Sequence, residues 1–146
     1  MNFTTKKFSE LTLEQLYKIL KLRYGVFVRE QQSIYDEFDE MDYNAIHIFL
    51  EEKKKIVAYL RVYKKSDKTA CLGRAAVDKE HRKKGIGKEI VKHGLNYIKN
   101  NFKAEKTEIS AQDYLQKFYE SFGFKRISDV YDDCGVEHID MVLELK

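Results

Sequence analysis

Proline is absent from this chain of 146 residues, and cysteine occurs only at positions 71 and 134. Without proline one strong marker of a domain boundary is missing, and no linker, internal repeat or low-complexity block stands in its place. Cys71 and Cys134 have neither CxxC spacing nor a clustered set of histidine partners, so no metal site and no disulfide framework is expected. Long apolar runs are lacking as well. The apolar stretches are short and broken by lysine, and no cationic segment leading into an apolar one follows Met1. Neither a membrane-spanning helix nor a secretory signal is therefore expected, no membrane partner is implied, and the cytoplasm is the default compartment. The net charge of +3 is too small to announce nucleic-acid binding.

What is present is an apolar fraction of 43% with 13% aromatics, a globular composition on a chain of single-domain length, so residues 1–146 are read as one domain. Leu13, Leu16, Tyr17, Leu20 and Ile19 recur at helical spacing and predict a helix over 13–26, with Thr12 as its cap and Gln15 in capping-box position. Residues 26–42 break into a polar, acidic, irregular segment. Three short runs rich in β-formers, 47–51, 56–63 and 69–77, predict an antiparallel meander. The period then changes to that of a helix over 85–102. A strand over 107–111, a helix over 114–122 closed by Gly123, and strands over 124–128 and 137–145 complete the order α, βββ, α, β, α, ββ. The strands over 69–77 and 107–111 flank a helix, so a right-handed crossover should lay them parallel in a mixed sheet.

The most informative stretch is Arg82-Lys83-Lys84-Gly85-Ile86-Gly87-Lys88, between a strand and a helix. Its two glycines let the backbone approach a ligand, and the amides of Gly85, Ile86, Gly87 and Lys88 are first-turn donors with no helical partner. Such an end attracts phosphate, and Arg82, Lys83 and Lys84 add charge-assisted donors. The spacing fits neither the dinucleotide fingerprint nor a P-loop. A plain turn with a solvated lysine face is the alternative reading.

That stretch resembles the coenzyme A motif of the GNAT acetyltransferase superfamily, Arg/Gln-x-x-Gly-x-Gly/Ala. Gly73-Arg74-Ala75-Ala76-Val77 is similar to the family's central strand, and Phe118-Tyr119-Glu120-Ser121-Phe122-Gly123-Phe124 to its closing motif. Over nearly its whole length the chain is similar to the ElaA-like branch, through Leu22-Arg23-Tyr24-Gly25-Val26-Phe27-Val28-Arg29-Glu30-Gln31, Tyr35-Asp36-Glu37-Phe38-Asp39 and Asp132-Asp133-Cys134-Gly135. The resemblance implies an α+β fold: a mixed, mostly antiparallel twisted sheet flanked by helices, with a splayed parallel strand pair holding acetyl-CoA. It also implies an N-acetyltransferase with acetyl-CoA as cosubstrate, attacked directly by an amine. Ala75 and Val77 would pair with pantetheine, Gln112 would bond its amides, and Tyr119 would protonate the departing thiolate. A module that binds acyl-CoA without turnover is the alternative.

The acceptor side is less legible. A protonated amine must lose a proton before it attacks, and the central strand has no carboxylate for this, which leaves Glu30 and His138 as candidate bases. The plain alternatives are a helix-end ion pair for Glu30 and an ordinary strand hydrogen bond for His138; His47 is read as structural. Residues 36–42 carry five acids, either a field that draws a cationic amine or a solvated acidic loop. Arg74 would meet either a substrate carboxylate or an internal acid. The acceptor is expected to be a small-molecule amine ahead of a protein, nucleic acid is not expected, and the chain would be a monomer or homodimer.

Overall fold

The structure, a computed structural model, describes residues 1–145. A single eight-stranded sheet runs through them in the order β1-β2-β3-β4-β5-β8-β6, with β7 paired to β8. The strands are β1 (Thr4–Lys7), β2 (Ile46–Glu52), β3 (Lys55–Lys64), β4 (Thr69–Val77), β5 (Lys106–Gln112), β6 (Lys125–Arg126), β7 (Tyr131–Asp133) and β8 (Val136–Glu144). The helices are α1 (Leu13–Arg23), α2 (Ile86–Asn101) and the short α3 (Gln116–Glu120). All pairings are antiparallel except β4 with β5, the parallel pair required by the crossover through α2.

The sheet is buried on both faces because its central strands present apolar residues to each. Ile86, Ile90, Val91 and Ile98 of α2 pack on Leu60, Leu72 and Ile109. On the opposite face Ile19, Leu22 and Val26 pack on Phe49, Tyr59 and Ala76. Each such aliphatic side chain removed from water is worth about 2 kcal/mol. The capping box forms as expected: Gln15 N–H donates to Thr12 Oγ1 at 3.0 Å and Thr12 N–H to Gln15 Oε1 at 3.1 Å.

Several local expectations need correction. The first helix does not run evenly to residue 26. Its α-type bonding stops at Arg23 and widens into a π-type segment, Tyr24–Glu30, which covers the expected helix end and continues past residue 26, where the sequence had suggested irregular chain. Helix α3 is preceded by a 3-10 turn, Asp113–Leu115, so the predicted helix over 114–122 is two pieces. The strand expected over 124–128 pairs only at Lys125 and Arg126. Strand β1 and the hairpin strand β7 were not foreseen, because neither is long enough to show a period.

Gly123 follows α3 at φ +99°, as the C′ position requires, and a Cβ there would lie 3.1 Å from Leu143 Cδ1. Gly123→Ala should therefore lower stability by about 2 kcal/mol through backbone strain and crowding. A urea midpoint shift at unchanged slope is the measurement; an unshifted midpoint would contradict the assignment.

Candidate active site

Strands β4 and β5 pair over only three residues each, Thr69 to Cys71 against Lys106 to Glu108. Beyond that they part. The cause lies in β4: between Tyr59↔Ala76 and Arg61↔Gly73 in the β3 ladder, two β4 residues, Arg74 and Ala75, oppose Leu60 alone. Arg74 sits at φ +52°, left-handed for a non-glycine residue inside a strand. A bulge of this kind bends its strand and strengthens the twist. The far half of β4 thus turns from β5 and leaves a backbone edge facing a cavity of about 680 Å³.

The glycine turn closes one end of this cavity. Lys83 at φ +64° and Gly85 at φ +80° swing the chain from β4 into α2. The first helical bond runs from Glu89 N–H to Gly85 O, so the amides of Ile86, Gly87 and Lys88 precede it and stay available. A Cβ on Gly87 would meet Val77 Cγ2 at 3.8 Å and Phe118 Cζ at 4.0 Å, ordinary contacts that leave the cavity wall bare backbone here. Ala75, Val77, Arg82, Lys83, Gly85, Ile86, Gly87, Lys88 and Gln112 all line the cavity; Lys84 does not. Arg82 is already engaged, its two terminal nitrogens on the Glu30 carboxylate at 2.7 and 2.8 Å and its Nε on Val77 O at 2.9 Å. The hydrogen bond and charge of Arg82 hold Glu30 below the usual carboxylate range. Glu30 therefore braces the phosphate-type loop against the end of the π segment.

Tyr119 stands on α3, 6% exposed, edge-on to Phe118 and Phe124. Its hydroxyl bonds to no other described residue, yet it is not sealed from solvent, and the side chain lines the cavity. Burial, with a lesser contribution from Tyr114, pushes its phenol up to about 12. At neutral pH it is an un-ionised donor with no acceptor among the described residues.

The opposite end is built by residues 31–42 and the β7–β8 hairpin. Ser33 Oγ donates to Cys134 O at 2.7 Å and ties the two together. Most of the acidic loop is neither a free field nor a solvated run. Arg23, 1% exposed, binds Glu37 at 2.5 Å and Asp42 at 2.9 Å. Arg61 binds Asp39 at 2.5 Å and Asp42 at 2.9 Å, and Arg74 reaches Glu37 at 3.0 Å and Asp39 at 3.4 Å. The Tyr35 hydroxyl also donates to Glu37. Three acids and three arginines thus neutralise one another, while Asp36 and Glu40 stay exposed. Burial opposes ionisation of Asp39, but hydrogen bonds and charge from Arg61, with Arg74, outweigh it and hold the carboxyl at about 2. His47 is enclosed by this network, its Nε2 donating to Asp42 O at 2.9 Å and its Nδ1 accepting from Tyr59 Oη at 2.7 Å, and burial lowers its pKa.

His138 lies on β8 at the rim of the same cavity. Its Nδ1 is 2.9 Å from Val136 O, a carbonyl that can only accept, so Nδ1 carries a proton and, in the neutral ring, Nε2 is the nitrogen with the lone pair. The structure thus brings Tyr119, His138, Gln112 and the turn to one cavity and spends Glu30 on Arg82. Sequence reading assigned no role to Ser33, Ser110 or Tyr131. Ser33 and Ser110 line the cavity, and strand register sets Tyr131 behind Ser110, which no local pattern in their short segments announces.

A mixed sheet parted along one parallel pair, with a glycine turn at one end of the gap and a cavity-facing tyrosine within it, is the architecture of an acyltransferase. The chain belongs to the GNAT acetyltransferase family, whose Acetyltransferase (GNAT) domain matches residues 11–145. It falls in the ElaA-like branch: Protein ElaA of Escherichia coli is 34% identical over 94% of this chain and 92% of that one. The crystal structure of E. coli ElaA superposes with a TM-score of 0.93, covering 99% of this chain and 100% of that chain. A UPF0039 protein of Schizosaccharomyces pombe is 40% identical over 99% of this chain and 98% of its own length. An acyl-CoA N-acyltransferase from Pseudomonas aeruginosa is 29% identical with a TM-score of 0.91, over 98% of this chain and 99% of that chain. Among the described residues no helix is long and apolar enough to cross a membrane, and no cluster of metal-ligand side chains occurs.

The arginine network carries a pH signature. Asp39 is held at about 2 when folded, against about 3.9 in an unfolded chain. Its ion pairs therefore contribute fully above the unfolded value and are lost as pH falls through the folded one. Urea midpoints should drop between about pH 4 and about pH 2, and Asp39→Asn should flatten that drop. An equally steep drop in the variant would contradict the assignment.

Proposed function

We propose that this chain is an acetyl-CoA-dependent N-acetyltransferase that passes the acetyl group to a primary amine by direct attack in a ternary complex. The observation that carries the reading is Tyr119, a buried phenol whose hydroxyl has no partner among the described residues and opens onto a cavity bounded by the glycine turn. A hydroxyl so placed is free to donate its one proton to a ligand in the cavity. The first-turn amides of α2, with Lys83 and Lys88, would receive the pyrophosphate. The parted edge of β4 at Ala75 and Val77 would pair with the pantetheine arm, with Gln112 opposite. Lys84 does not line the cavity and would add only to the surrounding positive field, and Arg82 shapes the loop through Glu30 and Val77 O.

In the reaction the amine nitrogen forms a bond to the thioester carbon, backbone amides at the parted strands polarise the carbonyl, and the carbon–sulfur bond breaks. Tyr119 donates its proton to the leaving thiolate, and its raised pKa keeps that proton in place until the thiolate forms. His138 Nε2 takes the proton shed by the nitrogen. Glu30 is the weaker candidate for that task, since its carboxylate is occupied by Arg82 on both oxygens.

Thiol release from acetyl-CoA should be measured against a panel of small primary amines, with coenzyme binding followed by calorimetry. Tyr119→Phe should lower kcat by about 100-fold while coenzyme affinity holds, the range for loss of a general acid. Coenzyme binding with no amine-dependent release from any amine would instead favour an acyl-CoA-binding module. Gly87→Asp sets a carboxylate in the cavity wall and should abolish coenzyme binding with an unchanged circular dichroism spectrum; retained affinity would overturn the phosphate assignment.

A further inference from the structure

Beside His138 the β7–β8 hairpin holds a short hydrogen-bonded chain that the proposed mechanism does not use. Tyr131 Oη donates to Asp140 Oδ1 at 2.6 Å. The same hydroxyl lies 2.5 Å from Ser110 Oγ. A phenol has one proton, and here it is committed to the carboxylate, so Ser110 is the donor to Tyr131. Ser110 lines the cavity. With its own proton turned away, its hydroxyl presents lone pairs alone to whatever enters.

Register explains why these residues meet. Ser110 pairs with Asp140 and Gln112 with His138 across β5 and β8, and Tyr131 pairs with His138 from the other edge. Cross-strand partners share a face, so all five stand on the side opposite Ile139 and Met141, which are buried in the core under α2. The Tyr131 ring stacks on His138 with centroids 6.2 Å apart and planes 28° from parallel. Burial first, then the hydrogen bond to Asp140, raises the Tyr131 phenol, and Asp133 acts the same way while Ser110 opposes it. The phenol thus stays neutral and keeps the chain's polarity fixed. Ser110 Oγ and His138 Nε2 are two hydrogen-bond acceptors on one wall. They stand at diagonal positions of adjacent strands, with backbones about 7–8 Å apart, a separation across which side chains still reach a common partner.

We propose that Ser110, held by Asp140 through Tyr131, is a specificity-determining residue that binds one N–H of the acceptor while His138 binds another, so that the site selects primary amines. The inference rests on the transferase reading. The N–H on Ser110 persists through the reaction; the proton on the side of His138 passes to Nε2 as the carbon–nitrogen bond forms, and from there to solvent. A secondary amine or a hydroxyl has too few donors once its reacting proton is assigned to His138, and it would leave Ser110 unpaired. Tyr131 and Asp140 are positioning residues, since they act only through Ser110.

The test uses the intact chain, acetyl-CoA, the primary amine turned over fastest in the panel above, and its N-methyl derivative. Ser110→Ala should raise the amine KM about tenfold, the upper end for loss of one neutral hydrogen bond, with the acetyl-CoA KM unchanged. The preference for the primary over the N-methyl amine should collapse with it. Tyr131→Phe keeps the ring against His138 and should reproduce part of both changes, whereas Ser110→Thr should retain the preference. An unchanged amine KM and preference in Ser110→Ala would overturn the role of Ser110 and leave the transferase reading intact. Equal loss for both substrates in Tyr131→Phe with a lower melting temperature would reduce the chain to a brace for the hairpin. Failure of the wild type to bind acetyl-CoA, or to acetylate any amine, would remove both readings.

Discussion

The left-handed turn of Arg74 within β4 is the constraint on which the site depends. A parallel strand pair would ordinarily stay in register to its end, and the residues after Cys71 are regular enough to do so. By setting two residues against Leu60, the bulge bends β4 from β5 and frees backbone groups that a continuous sheet would consume. Strain at such a position persists only where the surroundings over-determine it. Here they do: the Arg74 guanidinium is held by Glu37 and Asp39 and lies 5.6 Å from the Tyr35 ring centre.

That anchoring links the gap to the arginine network. Arg23, Arg61 and Arg74 come from α1, β3 and β4, and all three converge on one loop. Buried ion pairs are a weak source of net stability because desolvation offsets most of the attraction, but removing one partner is expensive. Their consequence is geometric. The loop is fixed as one wall of the cavity, and Ser33 joins it to the hairpin that carries His138. Charge is divided accordingly, with lysines at the glycine-turn end and a neutralised wall at the other.

The central elements were legible because each is long enough to show its period. The meander, α2 and β5 follow the predicted spans to within a residue or two, and the parallel pairing followed from handedness alone. The π-type segment after Arg23 was not legible. Nothing in Tyr24-Gly25-Val26-Phe27 distinguishes its wider bonding from a fraying helix. The acidic loop was misread for a related reason: a run of acids resembles a solvated segment unless the three arginines that bind it, distant in sequence, are known to share its neighbourhood.

The amino-acid sequence by itself determined the glycine turn, since a helix that begins at Gly85 leaves its unpaired first-turn amides beside that turn. It determined the helical spacing that brings Phe118 and Tyr119 to α3, and through family resemblance it marked Tyr119. Only the tertiary structure decided that Glu30 closes on Arg82, that Asp39 and Asp42 are internal partners, and that Ser110, Tyr131, His138 and Asp140 share one face. The reason is one of range. Turn chemistry and periodicity are set by neighbours a few residues away, whereas an ion pair or a cross-strand face depends on register between segments that the chain brings together only when its core has formed.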